Sequence, residues 1–349
     1  MRLTSVRNFA IAPVILSMIS AASAQEPNFG AYAQAAFFPF LDANDGELRR
    51  SPSLGISFGE RFHRATLDTG STGVVVGATS IPNIDQLPRI SEGQLTYTSS
   101  GRVMRGHWVR TAFTIVGSGD SAIQVEAMPV LAVERVDCLP RARDCDPNED
   151  VSRIAMIGIG FAREGDRQSQ STPDKNPFLH VVSNNSRQRH GYVLTARGVY
   201  VGLSAVNTSG HFEYVKLDRN KEDTDWSPIP ACISINGKTP PACGTLLVDS
   251  GVGSAFMTLP PWQSSQAKLQ PGDQVAVAVS RGQSSLPLYS FKIDDGHPLT
   301  PEKVHLRLSP DRTFLNTSFH FLNGFDFLYD ADGGYVGFRR RSTGTQAIR

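Results

Sequence analysis

Two short stretches constrain this chain more than anything else in it. Residues 66 to 73 read TLDTGSTG and residues 247 to 254 read LVDSGVGS. In each, an apolar run stops at Asp, and a small hydroxyl residue and a Gly follow. One such stretch is an ordinary turn, because Asp after a strand caps its own backbone and Gly tolerates the tight bend. Two of them, one in each half of the chain, imply two similar units that bring Asp68 and Asp249 face to face.

The segments between these turns are short, alternating or β-branched, and separated by Gly, Pro, Asn and Asp. SLGISF, GVVVGA, GQLTYT, TAFTIVG, AMPVLAV, TLLVDS and QVAVAV are representative. That spacing predicts an all-β chain and not an alternation of strands and helices. The helical candidates are short, near Phe178 to Asn184 and from Pro261 to Leu269. REGDRQSQSTPDKN, residues 163 to 176, is polar and turn-rich and reads as an exposed loop.

The first 24 residues carry Arg2 and Arg7, an apolar stretch from Phe9 to Ile19, and the small residues Ala22, Ser23 and Ala24. They read as a secretory signal peptide cleaved near Ala24, giving an exported protein, periplasmic or secreted, with no membrane anchor. About 325 residues then remain, enough for two units of ordinary domain size. The expected division is 25–193 for the first and 194–349 for the second, and the chain is expected to be a monomer.

A net charge of +1 with both signs scattered gives no footprint for nucleic acid. Arg339, Arg340 and Arg341 form the one compact basic run and read as a solvated tail. The four cysteines allow three connectivities. Cys138 with Cys145 and Cys232 with Cys243 is preferred, because each local pair flanks a turn-like segment and an exported chain keeps its disulfides. No Cys-x-x-Cys or His-Glu-x-x-His motif suggests a metal, and no cofactor is expected. Asn184, Asn207 and Asn316 each begin an Asn-x-Ser/Thr sequon.

Two buried carboxyls close enough to share a proton cannot both ionise easily, so one pKa falls and the other rises. The ionised member can take a proton from water while the protonated one donates to a carbonyl. Aspartic proteases are the standard instance of this pattern.

The chain resembles the pepsin-like aspartic proteases, family A1, as a bacterial-type exported homologue. ISFGERFHRATLDTGSTGVVV is similar to that family's first active-site strand and turn, and LTYTSSGRVMRGHW to its flap hairpin, with Tyr97 as the flap tyrosine. IAMIGIG resembles the strand that braces the first Asp, through Ile157 and Gly158. SINGKTPPACGTLLVDSGVGSAFMTLP resembles the second active-site region, and FLNGFDFLYDADGGYVGFRRR the closing strands, with Gly324 as the second brace.

The resemblance implies a bilobal acid-protease fold of two six-stranded β-barrel lobes with a cleft between them. It implies an aspartic endopeptidase that hydrolyses an extended peptide or protein substrate, with Asp68 and Asp249 catalytic. Thr69, Gly70, Ser71, Tyr97, Ser250 and Gly251 would shape the site. The alternative it leaves is a catalytically silent binding or inhibitor-type protein of the same fold. A serine hydrolase around Ser121 lacks the Gly-x-Ser-x-Gly elbow.

The pattern departs from the family in places. Val252 stands where a hydroxyl often supports the second Asp, so the pair is expected to be lopsided, with raised pKa values and a less acidic optimum. Val75 or Val76 stands where a Trp commonly supports the flap tyrosine, a place Trp108 could fill, and Asn323 replaces an apolar bracing residue. Between the cleavage site and Asp68 there is no room for a full inhibitory prosegment.

Overall fold

The computed structural model describes residues 26–43, 46–182, 187–222, 224–281 and 284–341. The signal-peptide reading and the Asn184 sequon fall outside them. The described residues contain strands and six short 3-10 turns, with no α-helix among them. The helical expectation is corrected at both places: Pro177–Leu179 is a single 3-10 turn, and 261–269 is irregular. Both segments are too short, and too interrupted by Pro and polar residues, to propagate a helix.

The strands form three sheets. The first runs Ser53–Phe58, Arg61–Asp68, Ala155–Ile159, Thr72–Gly77, Ala122–Cys138, Arg102–Val116, Arg89–Tyr97. Ser53–Phe58 also pairs with Arg102–Val116 through Gly55 to Ser57, curling the sheet back on itself. The second runs Ser284–Lys292, Gln274–Arg281, Ile229–Ile235, Ala242–Leu247, Phe314–Asn316, Ala255–Leu259, Val304–Leu308. The third draws six strands from the beginning, middle and end of the chain: Ala36–Pro39, Gly198–Leu203, Arg189–Leu194, Phe325–Asp330, Tyr335–Arg340 and Glu213–Lys216.

The expectation of two six-stranded barrel lobes is corrected by this arrangement. Each half builds a seven-stranded sheet, and the second is open, with Ser284–Lys292 and Val304–Leu308 as its edges. A third sheet, unanticipated, lies between the halves in composition. Repetition shows instead in the strand order around each Asp. Arg61–Asp68 pairs parallel with Ala155–Ile159, which pairs antiparallel with Thr72–Gly77. Ala242–Leu247 pairs parallel with Phe314–Asn316, which pairs antiparallel with Ala255–Leu259.

One continuous apolar core joins all three sheets, with Leu67, Ile157, Leu246, Leu315, Phe319, Phe327 and Phe338 among its buried members. Burial on that scale contributes roughly 25 cal/mol per Å² of apolar surface removed from water. It anchors the two Asp turns because Leu67 and Leu246, in the strands leading into them, are buried in it.

The basic run is also corrected. Arg339 bonds Asp326 through Nε and Nη2, Arg340 donates to the Leu288 carbonyl at 2.6 Å, and Arg341 donates to the Gly46 carbonyl at 2.8 Å. Arg339 and Arg340 end a paired strand, so their guanidinium groups work as cross-links and not as a solvated tail.

Candidate functional site

Asp68 is the last residue of its strand, and Asp249 lies just past Ala242–Leu247. Both are almost completely buried. The small residues after each one hold the two turns together. Thr69 N donates to Ser250 Oγ at 3.1 Å and Ser250 N donates to Thr69 Oγ1 at 2.9 Å. The hydroxyls in turn donate across the pair of turns, Thr69 Oγ1 to the Val248 carbonyl at 2.6 Å and Ser250 Oγ to the Leu67 carbonyl at 2.7 Å.

The glycines set how closely the carboxyls approach. A Cβ on Gly70 would lie 2.5 Å from Asp249 Oδ2, and one on Gly251 would overlap Asp68 Oδ1. Each glycine therefore lies against the opposite turn's Asp, and any side chain there would push the halves apart.

Each carboxylate has a donor from its own turn. Asp68 accepts from Gly70 N at 2.7 Å and from Ser71 Oγ at 2.5 Å. Asp249 accepts from Gly251 N at 2.8 Å through Oδ1 and from Asn316 Nδ2 at 2.5 Å through Oδ2. The Asn316 amide is oriented by its Oδ1, which accepts from Ser318 N at 3.0 Å. Asn316 thus supplies the hydrogen bond that Val252 cannot, and the expected gap at the second Asp is filled from another strand.

Burial, and then the charge of Asp68, push the Asp249 carboxyl up to about 7, against the opposing pull of Asn316, Gly251 and Arg163. Burial and the neighbouring charge therefore favour a pair that keeps one proton. Two like charges confined in one dry site titrate as a pair.

Arg163 is a residue the sequence did not disclose. It was expected in an exposed loop, yet it is buried, donating Nε to the Gly70 carbonyl at 2.7 Å and Nη2 to Asp166 at 2.6 Å. Gln168, Ser171 and Asn176 of the same loop are buried too, which corrects that expectation: the polar side chains fold under the Asp68 turn and satisfy its backbone. The sequon at Asn316 is similarly misleading, since its amide belongs to the site. Asn207 is buried and bonded to Gly202 and Ser204, so neither is exposed to modification.

Of the two braces, Gly158 pairs directly with Asp68. Gly324 does not brace Asp249, which corrects that assignment. It caps the 3-10 turn Phe319–Asn323, while the strand beside the second Asp is Phe314–Asn316 followed by Thr317 and Ser318. Asn323 lies in that turn and bonds the backbone of Leu48 and the Pro298 carbonyl. A local apolar-Asn-Gly pattern was mistaken for the bracing strand because the true one has no Gly.

Tyr97 ends the strand Arg89–Tyr97 at the tip of a hairpin and packs in a small cluster with Val75, Leu95 and Trp108. Its hydroxyl is buried beside Ser71 and Asp68. Burial and the Asp68 charge raise its pKa, with Ser71 opposing. Trp108 is buried beside it and donates Nε1 to Gln170 at 2.6 Å.

The hairpin tip is tied down. Cys138 and Cys145 form a disulfide, and the loop they close bonds the tip through Leu139 N to the Gly101 carbonyl at 2.8 Å. Arg143 N and Asp144 N both donate to the Ser100 carbonyl, at 2.8 and 2.9 Å. The Arg143 guanidinium then lies over the Phe256 ring of the second sheet, 5.2 Å from its centroid. Cys232 and Cys243 form the other disulfide between directly opposed strand positions.

The space left over Asp68 and Asp249 is about 170 Å³, lined by Tyr97, Ser99, Ser100 and Asp144 from the tied hairpin and its loop. Small-molecule sites usually occupy about 300–1,000 Å³, and an extended segment of six residues is about 20 Å long. The space over the carboxyls is therefore smaller than a usual small-molecule site. Among the described residues, no cluster of three or more His, Cys, Asp or Glu is placed to hold a metal ion. No helix among them is long and apolar enough to cross a membrane.

A scan against models of known protein families finds no match, and a search of curated proteins finds no relative. The family membership that the sequence resemblance implied is accordingly withdrawn. So are the activities that rested on it, both the endopeptidase and the silent member of the same fold: the sheets are not the expected barrels, and the space over the carboxyls is small.

Proposed function

We propose that Asp68 and Asp249 form a one-proton acid–base centre at the base of a small chamber, and that it binds or transforms a compact polar group and not a polymer. Asp249 holds the proton and donates it; Asp68, fixed by Gly70 N and Ser71 Oγ, accepts. The observation that carries this reading is the meeting of two almost completely buried carboxyls, so close that a Cβ on Gly70 or Gly251 would touch the opposite Asp; burial and the charge of Asp68 raise Asp249 to about 7. An acid with that affinity for protons can give and take one near neutral pH, where general acid–base groups are most effective.

Thr69, Ser250, Gly70 and Gly251 act as positioning residues, since they set the separation and orientation of the carboxyls and do not face the ligand alone. Tyr97 and Asn316 complete the wall, and Tyr97 excludes water. The same reading takes the chain as exported, with its two halves dividing near residue 193.

The test is binding of a small gem-diol, such as the hydrate of a trifluoromethyl ketone, which offers one donor and one acceptor to such a pair. Calorimetric titration from pH 4 to 9 is expected to show binding while the pair carries one proton and weakening as Asp249 ionises near 7. Asp68→Asn and Asp249→Asn should each abolish it. Equal binding by wild type and both variants would sink the proposal.

A further inference from the structure

A second cavity lies on the opposite side of the Cys232–Cys243 disulfide sheet from the core, and it has no connection with the carboxyl pair. Its volume is about 520 Å³, within the range of small-molecule sites. Its floor is built by an alternation that serves no packing purpose. Cys232 is paired with Ala278 and Ser234 with Ala276, so the sheet presents a patch of small side chains where larger ones would otherwise cover it. Pro241, Leu288 and Leu299 are among its apolar walls.

The charged groups lining this cavity are both cations. Lys238 and Arg340 line it, and no Asp or Glu does. Arg340 is held in place by its bond to the Leu288 carbonyl and by lying over the Phe325 ring, 5.0 Å from the centroid. Tyr289 borders it, with its ring turned into the core against Phe321 and Phe325.

We propose that this cavity binds a carboxylate with an alkyl body. The chain lies on the small-residue floor, and the carboxylate is held between Lys238 and Arg340. Charge selects the head group, because two cations and no anion line the site, and the apolar walls select the body.

Isothermal titration of the full chain with decanoate and with decan-1-ol tests this. Decanoate is expected to bind one to one and decan-1-ol at least about tenfold more weakly. Arg340→Gln and Lys238→Gln should each weaken decanoate about tenfold. Ala276→Leu, which fills the floor, should abolish binding, and Ser234→Leu serves the same purpose should that variant not fold. Asp68→Asn should bind decanoate as wild type does, which separates this site from the carboxyl pair. The inference is overturned if decanoate gives no heat, if the alcohol binds as well, or if a folded floor-filling variant keeps wild-type affinity.

Discussion

Thr69 and Ser250 exchange hydrogen bonds in both directions, each backbone N–H donating to the other's side-chain oxygen, across 181 residues of chain. Both hydroxyls also donate to carbonyls, Thr69 to Val248 and Ser250 to Leu67. Four buried hydrogen bonds thus form only when the two halves are together. Thr69→Val keeps the shape and removes the hydroxyl, leaving Ser250 N and the Val248 carbonyl without partners. Its expected cost is about 2–4 kcal/mol in urea unfolding, from buried groups losing their bonds. A loss below about 0.5 kcal/mol would mean the turns are held by apolar packing alone.

The proton on Asp249 gives stability a definite pH dependence. Its native pKa is raised to about 7 from an ordinary value of 3.8, so the native state binds more protons than the unfolded chain between those values. Stability should therefore fall as pH rises from about 4 to 7, and level off above. In Asp249→Asn that fall should be reduced, and the variant should be more stable than wild type at neutral pH by a few kcal/mol. Unfolding curves at pH 4, 5.5 and 7.5 decide it, and a wild type whose stability rises across that window contradicts the assignment.

Asn316 opposes that elevation, since its Nδ2 favours the charged carboxylate at 2.5 Å. Asn316→Ala should raise the Asp249 pKa further. Carbon-13 carboxyl titration by NMR should show the midpoint moving above 7 in Asn316→Ala and falling towards the ordinary range in Asp68→Asn, where the neighbouring charge is gone. A midpoint that is unmoved in both variants would show that burial alone sets the value.

What the sequence disclosed and what it hid divide along physical lines. The Asp turns were legible because Asp, a hydroxyl and Gly after an apolar run dictate a local conformation, and the all-β character because alternation is local too. Sheet closure was not, since it depends on long-range pairing such as that of Gly55 with Val116. Arg163 and Asn316 were hidden for the same reason. A polar loop and a sequon look solvated until the tertiary fold turns Arg163 towards Gly70 and Asn316 towards Asp249.

Ser318 holds φ +67 and ψ 173, a backbone region that belongs to glycine, and it does so fully buried beside Asn316. Its N–H is bonded to Asn316 Oδ1, so the strained residue orients the amide that supports Asp249. Such conformations cost on the order of 1–3 kcal/mol. Ser318→Gly should relieve that and raise stability by about 1 kcal/mol, less than the full strain because glycine loses more entropy on folding. Ser318→Val should destabilise, and a Gly variant less stable than wild type would show that the Ser hydroxyl, which accepts from His320 N, outweighs the strain.

The Cys138–Cys145 loop closes the chamber through the hairpin tip, and this is testable without any ligand. The loop holds Ser100 and Gly101 by three backbone bonds, and Gly101, at φ +91, fits against Ala142 because it lacks a Cβ. Cys138→Ser with Cys145→Ser frees the loop, at an expected cost of about 2–3 kcal/mol from the unfolded chain's regained freedom. The amides of Leu139, Arg143 and Asp144, each bonded to the tip, should then exchange hydrogen faster than in wild type while Leu67 and Ile157 stay protected. Faster exchange confined to the loop's own amides, with the gem-diol binding as before, would leave the strap a local brace. Loss of protection together with faster ligand release would identify it as the element that encloses Asp68 and Asp249.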